Sequence, residues 1–146
     1  MNTLSEQLSD PTSLNSAAYI VFAHGSSVES ANQAVREVAS QAAELGAWRV
    51  FVSAFLEGGT PSLADAIDEL TARGESSFIV VPYFLTTGLH LQRDLPRLIE
   101  QIRMKHRGIE IEVTPPLDGH PAMAAALVDR AKSVDLAKRP SRALPM

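Results

Sequence analysis

The 146-residue chain is predicted to be an α/β protein, a three-layer sandwich around a four-stranded parallel sheet in the order 2-1-3-4. Three observations predict it. Strand-like and helix-like runs alternate four times, the pattern of a parallel sheet with helices on its faces. Glycines, prolines and capping residues punctuate these runs at their ends. Charge is confined to the second and fourth strand runs.

The first strand run covers residues 19–23, Tyr-Ile-Val-Phe-Ala, and the first helix residues 29–45. The second strand, 48–55, carries Arg49 and Ser53. Thr60-Pro61 reads as an N-cap and a first-position proline for a helix over 61–73. In that helix Leu63, Ala66, Ile67 and Leu70 recur at helical spacing. The third strand, 78–83, is uncharged. Asp94 before Leu95-Pro96 reads as the cap of a helix over 95–107, striped by Leu95, Leu98, Ile99 and Ile102. The fourth strand, 109–114, alternates Glu110 and Glu112 with Ile111 and Val113. His120-Pro121 opens the last helix, 121–136. Gly46, Gly74 and Gly108 each fall where a left-handed residue ends a helix.

Uncharged strands suit the centre of a sheet covered on both faces. Charged ones suit edges, where they discourage stray pairing. The first and third strands are therefore central, and right-handed crossovers complete the order. The chain leaves these two strands in opposite directions, so the crevice above their carboxyl ends is a topological switch point. A single domain is expected over 18–137, between a flexible arm, 1–17, and a loose tail, 138–146.

Composition narrows the function. Hydrophobic residues make up 45% and charged residues 21%, values of an ordinary globular chain. The net charge of -4, with no basic stripe, argues against nucleic acid as the main partner. The absence of cysteine excludes disulfides and thiolate metal sites, so a metal would need N and O ligands. No apolar run approaches the ~20 residues of a bilayer span, and the start lacks the basic and apolar stretches of a secretory signal. A cytoplasmic protein without a membrane partner is expected.

His24 and His90, far apart in sequence, follow the first and third strands and are expected in loops at the crevice. Two imidazoles there can hold a transition metal or move protons. A histidine bonded to loop backbone (His24) or starting a helix (His90) is the alternative for each. Gly25-Ser26-Ser27 can offer N–H groups to an anion. The connection from Phe84 to Leu91 is apolar for a segment facing water, as pocket and interface linings are. Glu57, just past the second strand, either completes a His-His-Glu set or is a solvated loop carboxylate. Arg93 is either a solvated charge or a partner for a substrate carboxylate. His106, at a helix C-terminus, reads as structural, and His120 as a cap or as a residue behind or against the ligand.

Several stretches together resemble the small CbiX-type sirohydrochlorin chelatases. They are Val21-Phe22-Ala23-His24-Gly25-Ser26, Ala54-Phe55-Leu56-Glu57 with Pro61-Ser62-Leu63, and Val80 to Leu85 running on to Gly88-Leu89-His90 and Asp94-Leu95-Pro96. Pro115-Pro116-Leu117 with Gly119-His120-Pro121 completes the set, which spans about residues 18–135. The resemblance implies a chelatase-like half lobe and ATP-independent insertion of a divalent metal into sirohydrochlorin, with cobalt ahead of nickel or iron and no nucleotide cofactor. It places the metal and catalytic roles on His24, His90 and Glu57. Gly25, Ser26, Phe84, Leu85, Gly88 and Leu89 are the residues expected against the tetrapyrrole. A single lobe implies a homodimer around one cleft. The chain departs from the family at Ser27, where arginine is frequent. A non-catalytic carrier of metal or metallo-tetrapyrrole remains the alternative. A hydrolase is disfavoured because no Gly-x-Ser-x-Gly elbow is present, and a flavodoxin-like protein because the phosphate loop is short.

Overall fold

The structure, a computed structural model, describes residues 16–85, 88–135 and 137, with the side chains of Leu89 and His90 outside the described set. Its elements alternate as β1 (Ala18–Ala23), α1 (Glu29–Gly46), β2 (Val50–Phe55), α2 (Leu63–Ala72), β3 (Ser77–Tyr83), α3 (Leu89–Lys105), β4 (Glu110–Val113) and α4 (Pro121–Lys132). All strand pairs are parallel, and the order is β2-β1-β3-β4. The expected topology holds. The expected tail and most of the expected arm lie outside the described residues. Ala17 is buried, and Ser16 accepts a hydrogen bond from Arg49.

The period of two along the strands sorts the core into two faces. Ile20, Phe22, Ala54, Phe78 and Val80 point to one face and pack with Leu63, Ile67 and Leu70 of α2 and with Leu91, Ile99 and Ile102 of α3. Val21, Ala23, Ser53 and Phe55 point to the other, where α1 buries Asn32, Ala39 and Ala43. Small residues on α1 let it lie close to the sheet. β1 is covered on both faces, as expected. β3 is not: Ser77, Ile79, Val81 and Tyr83 are only half-buried. The reason is α4, none of whose residues is buried, leaving that side of β3 without a packed helix.

The last helix stops at Lys132, short of the expected 136, and three other helix ends differ in the residues that make them. At α1 the left-handed residue is Ala47 (φ 53°), not Gly46. A Cβ on Gly46 would stand 2.6 Å from the Trp48 indole nitrogen, so its glycine makes room for a ring that stacks on Tyr19 at 4.4 Å. α2 starts at Leu63, and its cap is Ser62, which accepts from the Asp65 N–H. Pro61 instead accepts the Phe55 N–H through its carbonyl, at 2.9 Å, and so belongs to the return from β2. α3 starts six residues earlier than expected, at Leu89, with Gly88 as its N-cap and Pro96 inside it. Asp94 is therefore not a cap. Leu91 lies one turn before Leu95 on the same stripe, and its burial extends the helix despite a proline that cannot donate an intrahelical bond. The His120 cap is as expected: its Nδ1 accepts from the Ala122 N–H at 3.0 Å.

His106, at the end of α3, pairs through Nε2 with Asp68 of α2 at 2.5 Å, and Lys105 donates to the same carboxylate at 2.9 Å. His106 is thus a structural tie between helices. His106 first, then Lys105, holds the Asp68 carboxyl below the usual carboxylate range. A depressed native value contributes stability above the unfolded value of about 3.9, and that contribution is lost as pH falls through the native value. Because the carboxylate is about a third exposed, its worth is about 1 kcal/mol or less. Urea unfolding of Asp68→Asn should show a deficit of about that size at pH 6 that shrinks toward zero below about pH 4.

Candidate functional site

The register of the sheet puts the rim in order. Ala23, the last residue of β1, pairs with Phe55 of β2 on one side and Tyr83 of β3 on the other. The next residues on the three strands are His24, Leu56 and Phe84, so all three meet at the switch point. The β1–β2 ladder continues past the strand ends: Leu56 N–H donates to Ala23 C=O and Glu57 N–H to His24 C=O, each at 2.9 Å. These bonds bring the His24 and Glu57 side chains together, with Nε2 3.5 Å from Oε1. The pair is open to solvent, the side chains being 60% and 70% exposed. Such an exposed pair contributes at most about 1 kcal/mol. The imidazole is also tied to its own loop, with Nδ1 3.2 Å from the Gly25 carbonyl oxygen, which leaves Nε2 toward Glu57.

Phe84 stands edge-on to the His24 ring, with centroids 6.5 Å apart, and edge-on to Phe22 at 5.9 Å. A core phenylalanine thus braces one at the rim, which in turn limits the imidazole. Leu85 (68% exposed) and Leu56 (38%) add an apolar margin. Beneath it lies a cavity of about 220 Å³ bounded by Phe22, Leu56, Leu91 and Leu98. A larger hollow, about 640 Å³, lies between α3 and β4, and its described lining includes none of the predicted site residues.

Gly25 and Gly58 let the two loops touch. Gly25 has φ +90°, and a Cβ on it would stand 1.7 Å from the Glu57 carbonyl oxygen. Gly58 has φ +73° and faces the Ser26 backbone. Ser26 Oγ accepts from the Val28 N–H at 3.0 Å, fixing the entry into α1. At the head of α1 Glu29 pairs with Arg36 at 2.6 Å, a contact that holds its carboxyl below the usual range. Arg36 also lies over the Phe55 ring at 5.3 Å.

The structure thus joins His24, Gly25, Ser26, Glu57 and Phe84 at one rim. His90 belongs to the first turn of α3 rather than to a loop. Gly88 caps that helix. The side chains of His90 and Leu89, and Thr86 and Thr87, lie outside the described residues. Among the described residues no three ligating side chains converge. Sequence reasoning missed Asn32. It is 1% exposed and spans the two loops. Its signal was a polar residue on the face of α1 otherwise made by Ala39 and Ala43.

Residues 18–134 match the CbiX family model. The chain belongs to the CbiX family. Among curated relatives, a sirohydrochlorin cobaltochelatase of Saccharolobus solfataricus is 38% identical over 82 residues, covering 52% of this chain and 64% of the relative. One from Methanopyrus kandleri is 29% identical over 82 residues, covering 56% of this chain and 57% of the relative. The match thus spans less than two thirds of each of these two proteins. A crystal structure assigned to CbiX and cobalamin (vitamin B12) biosynthesis, from Marinobacter aquaeolei VT8, superposes with a TM-score of 0.72 at 30% identity, covering 80% of this chain and 95% of that one. The sirohydrochlorin chelatase SirB of Bacillus subtilis subspecies spizizenii, solved in complex with cobalt, shares the fold with a TM-score of 0.74 at 24% identity. This CbiX chain corresponds to 50% of that protein's length and is covered over 81% of its own.

Substitution of two positive-φ glycines, Gly25 and Gly74, separates contact from conformation. Around Gly74 (φ +99°) an added Cβ meets nothing within 4 Å, so Gly74→Ala carries only a left-handed strain of about 1–2 kcal/mol. Gly25→Ala adds a collision with the Glu57 carbonyl, placing it in the class of about 4 kcal/mol and above. Thermal melts should show Gly25→Ala falling by roughly 10 °C or more, and Gly74→Ala by roughly 5 °C.

Proposed function

We propose that this CbiX chain inserts a divalent metal into sirohydrochlorin without nucleotide hydrolysis. The observation that carries the reading is the His24–Glu57 pair, 3.5 Å apart and open to solvent at the switch point, in a chain of this family. The names of its curated relatives support the substrate. Cobalt is the first choice of metal, with nickel and iron as further candidates, since N and O ligands bind several first-row ions.

In this reading His24 and His90 present neutral imidazole nitrogens to the ion on one face of the macrocycle. His90 is taken into the set by its place in the first turn of α3, the element that follows β3. Insertion exchanges the ion's +2 charge for two pyrrole protons. One passes to Glu57 where it acts as a general base rather than a ligand, and both end in bulk water. Phe84, Leu85 and Leu89 provide an apolar surface for the flat ring, and the backbone N–H groups at Gly25, Ser26 and Gly88 meet its carboxylates. A cleft that bends the ring exposes its nitrogen lone pairs to the metal. One lobe offers one wall of such a cleft, and we assign the other wall to a second copy of the chain. A cytoplasmic setting fits this chemistry, and no described helix is long and apolar enough to cross a membrane.

An anaerobic absorbance time course of sirohydrochlorin with Co²⁺, Ni²⁺ or Fe²⁺ tests the proposal against the uncatalysed rate. The native chain should accelerate insertion. His24→Ala and His90→Ala should each lose about 10²-fold or more of that acceleration. No acceleration with any ion, from a folded chain, would contradict catalysis and favour a carrier of metal or finished metallo-tetrapyrrole.

A further inference from the structure

Asn32 is the buried polar side chain that joins the two site loops. Its Oδ1 accepts from the Ser26 N–H at 2.9 Å. Its Nδ2 donates to the Ser26 carbonyl at 2.8 Å and to the Gly58 carbonyl at 3.1 Å. Both amide hydrogens and one acceptor are therefore used, and the residue is 1% exposed. Ser26 lies two residues after His24, and Gly58 directly follows Glu57. The amide thus works as a short length of strand, pairing with one loop on both sides of Ser26 and with the other at Gly58.

We infer that Asn32 is a positioning residue for the metal site: it fixes the separation of His24 and Glu57 without touching the ion. This inference rests on the proposed reading of the site. The magnitudes support it. The side-chain pair itself is too exposed to hold two loops. A buried hydrogen bond is worth about 1 kcal/mol when made, and an orphaned partner costs about 1–3 kcal/mol. Removing the Asn32 amide takes the partner from three backbone groups together, Ser26 N–H, Ser26 C=O and Gly58 C=O, and unties the two loops. No other common side chain supplies one acceptor and two donors from a planar group of this size. Aspartate keeps the volume and the acceptor but faces two carbonyl oxygens with a third oxygen. Partners of this kind, behind the ligands, commonly govern metal affinity by roughly 10–100-fold.

The test combines Co²⁺ titration with backbone amide exchange on the full chain. Asn32→Ala is the primary variant. Asn32→Asp is the second, because it preserves packing and its added negative charge should by itself attract a cation. Protected amides in β1 and β3 confirm that each variant is folded. Both variants should bind Co²⁺ roughly 10-fold or more weakly than the native chain. In both, the Glu57 amide should lose protection. In a Glu57→Ala background, Asn32→Ala should weaken binding little further, because the carboxylate it positions is gone. A residue that served stability alone would give the same loss in either background. Native-like Co²⁺ affinity in folded Asn32→Asp and Asn32→Ala, or an unchanged Glu57 amide, would overturn the role of Asn32 while leaving the site reading intact. Failure of the native chain to bind Co²⁺, or binding that survives His24→Ala and Glu57→Ala unchanged, would overturn the site reading and the positioning role with it.

Discussion

The β1–β2 ladder runs on beyond the sheet, and the rest of the site depends on that. Two backbone bonds past the strand ends, Leu56 to Ala23 and Glu57 to His24, carry the rigidity of the sheet into loops that would otherwise face water alone. The approach is close enough that Gly25 admits no side chain against the Glu57 carbonyl. Parallel strands make such a rim because all their carboxyl ends lie on one side. The centrality of β1, paired on both edges and buried on both faces, keeps the frame stiff.

That frame holds an open pair of side chains. His24 and Glu57 make a contact that contributes little to stability, so a ligand displacing it meets little resistance. In the proposed reading, a stiff backbone under weakly held side chains lets an ion arrive, bind and leave with the product. The apolar margin of Phe84, Leu85 and Leu56 suits a broad flat molecule better than a small polar one. Its brace through Phe22 connects the margin to the core.

Much of this was legible in the residues, for identifiable reasons. Charge on Arg49, Glu110 and Glu112 marked the edges, and the uncharged runs marked β1 and β3, because burial excludes unpaired charge. Strand order then followed from handedness, and the order alone drew His24 toward Glu57 and Phe84. What failed was local. Pro96 looked like a helix start, yet burial of Leu91 extended α3 and moved His90 from a loop into the first turn. Gly46 looked like a left-handed terminus, yet its bareness serves Trp48. The full cover expected for β3 is missing, because α4 does not pack on it. These outcomes are set by contacts between elements, which no window of sequence contains. Asn32 was overlooked because its three partners lie on two loops, one of them far along the chain.

The most direct measurement is anomalous diffraction at the cobalt edge from crystals of the full chain equilibrated with Co²⁺. One principal peak is expected at the rim, within coordination distance, about 2.0–2.2 Å, of nitrogen atoms from His24 and His90, with Glu57 on the same side. A peak bound elsewhere, or none at the rim while the protein remains folded and saturated with cobalt, would contradict that site.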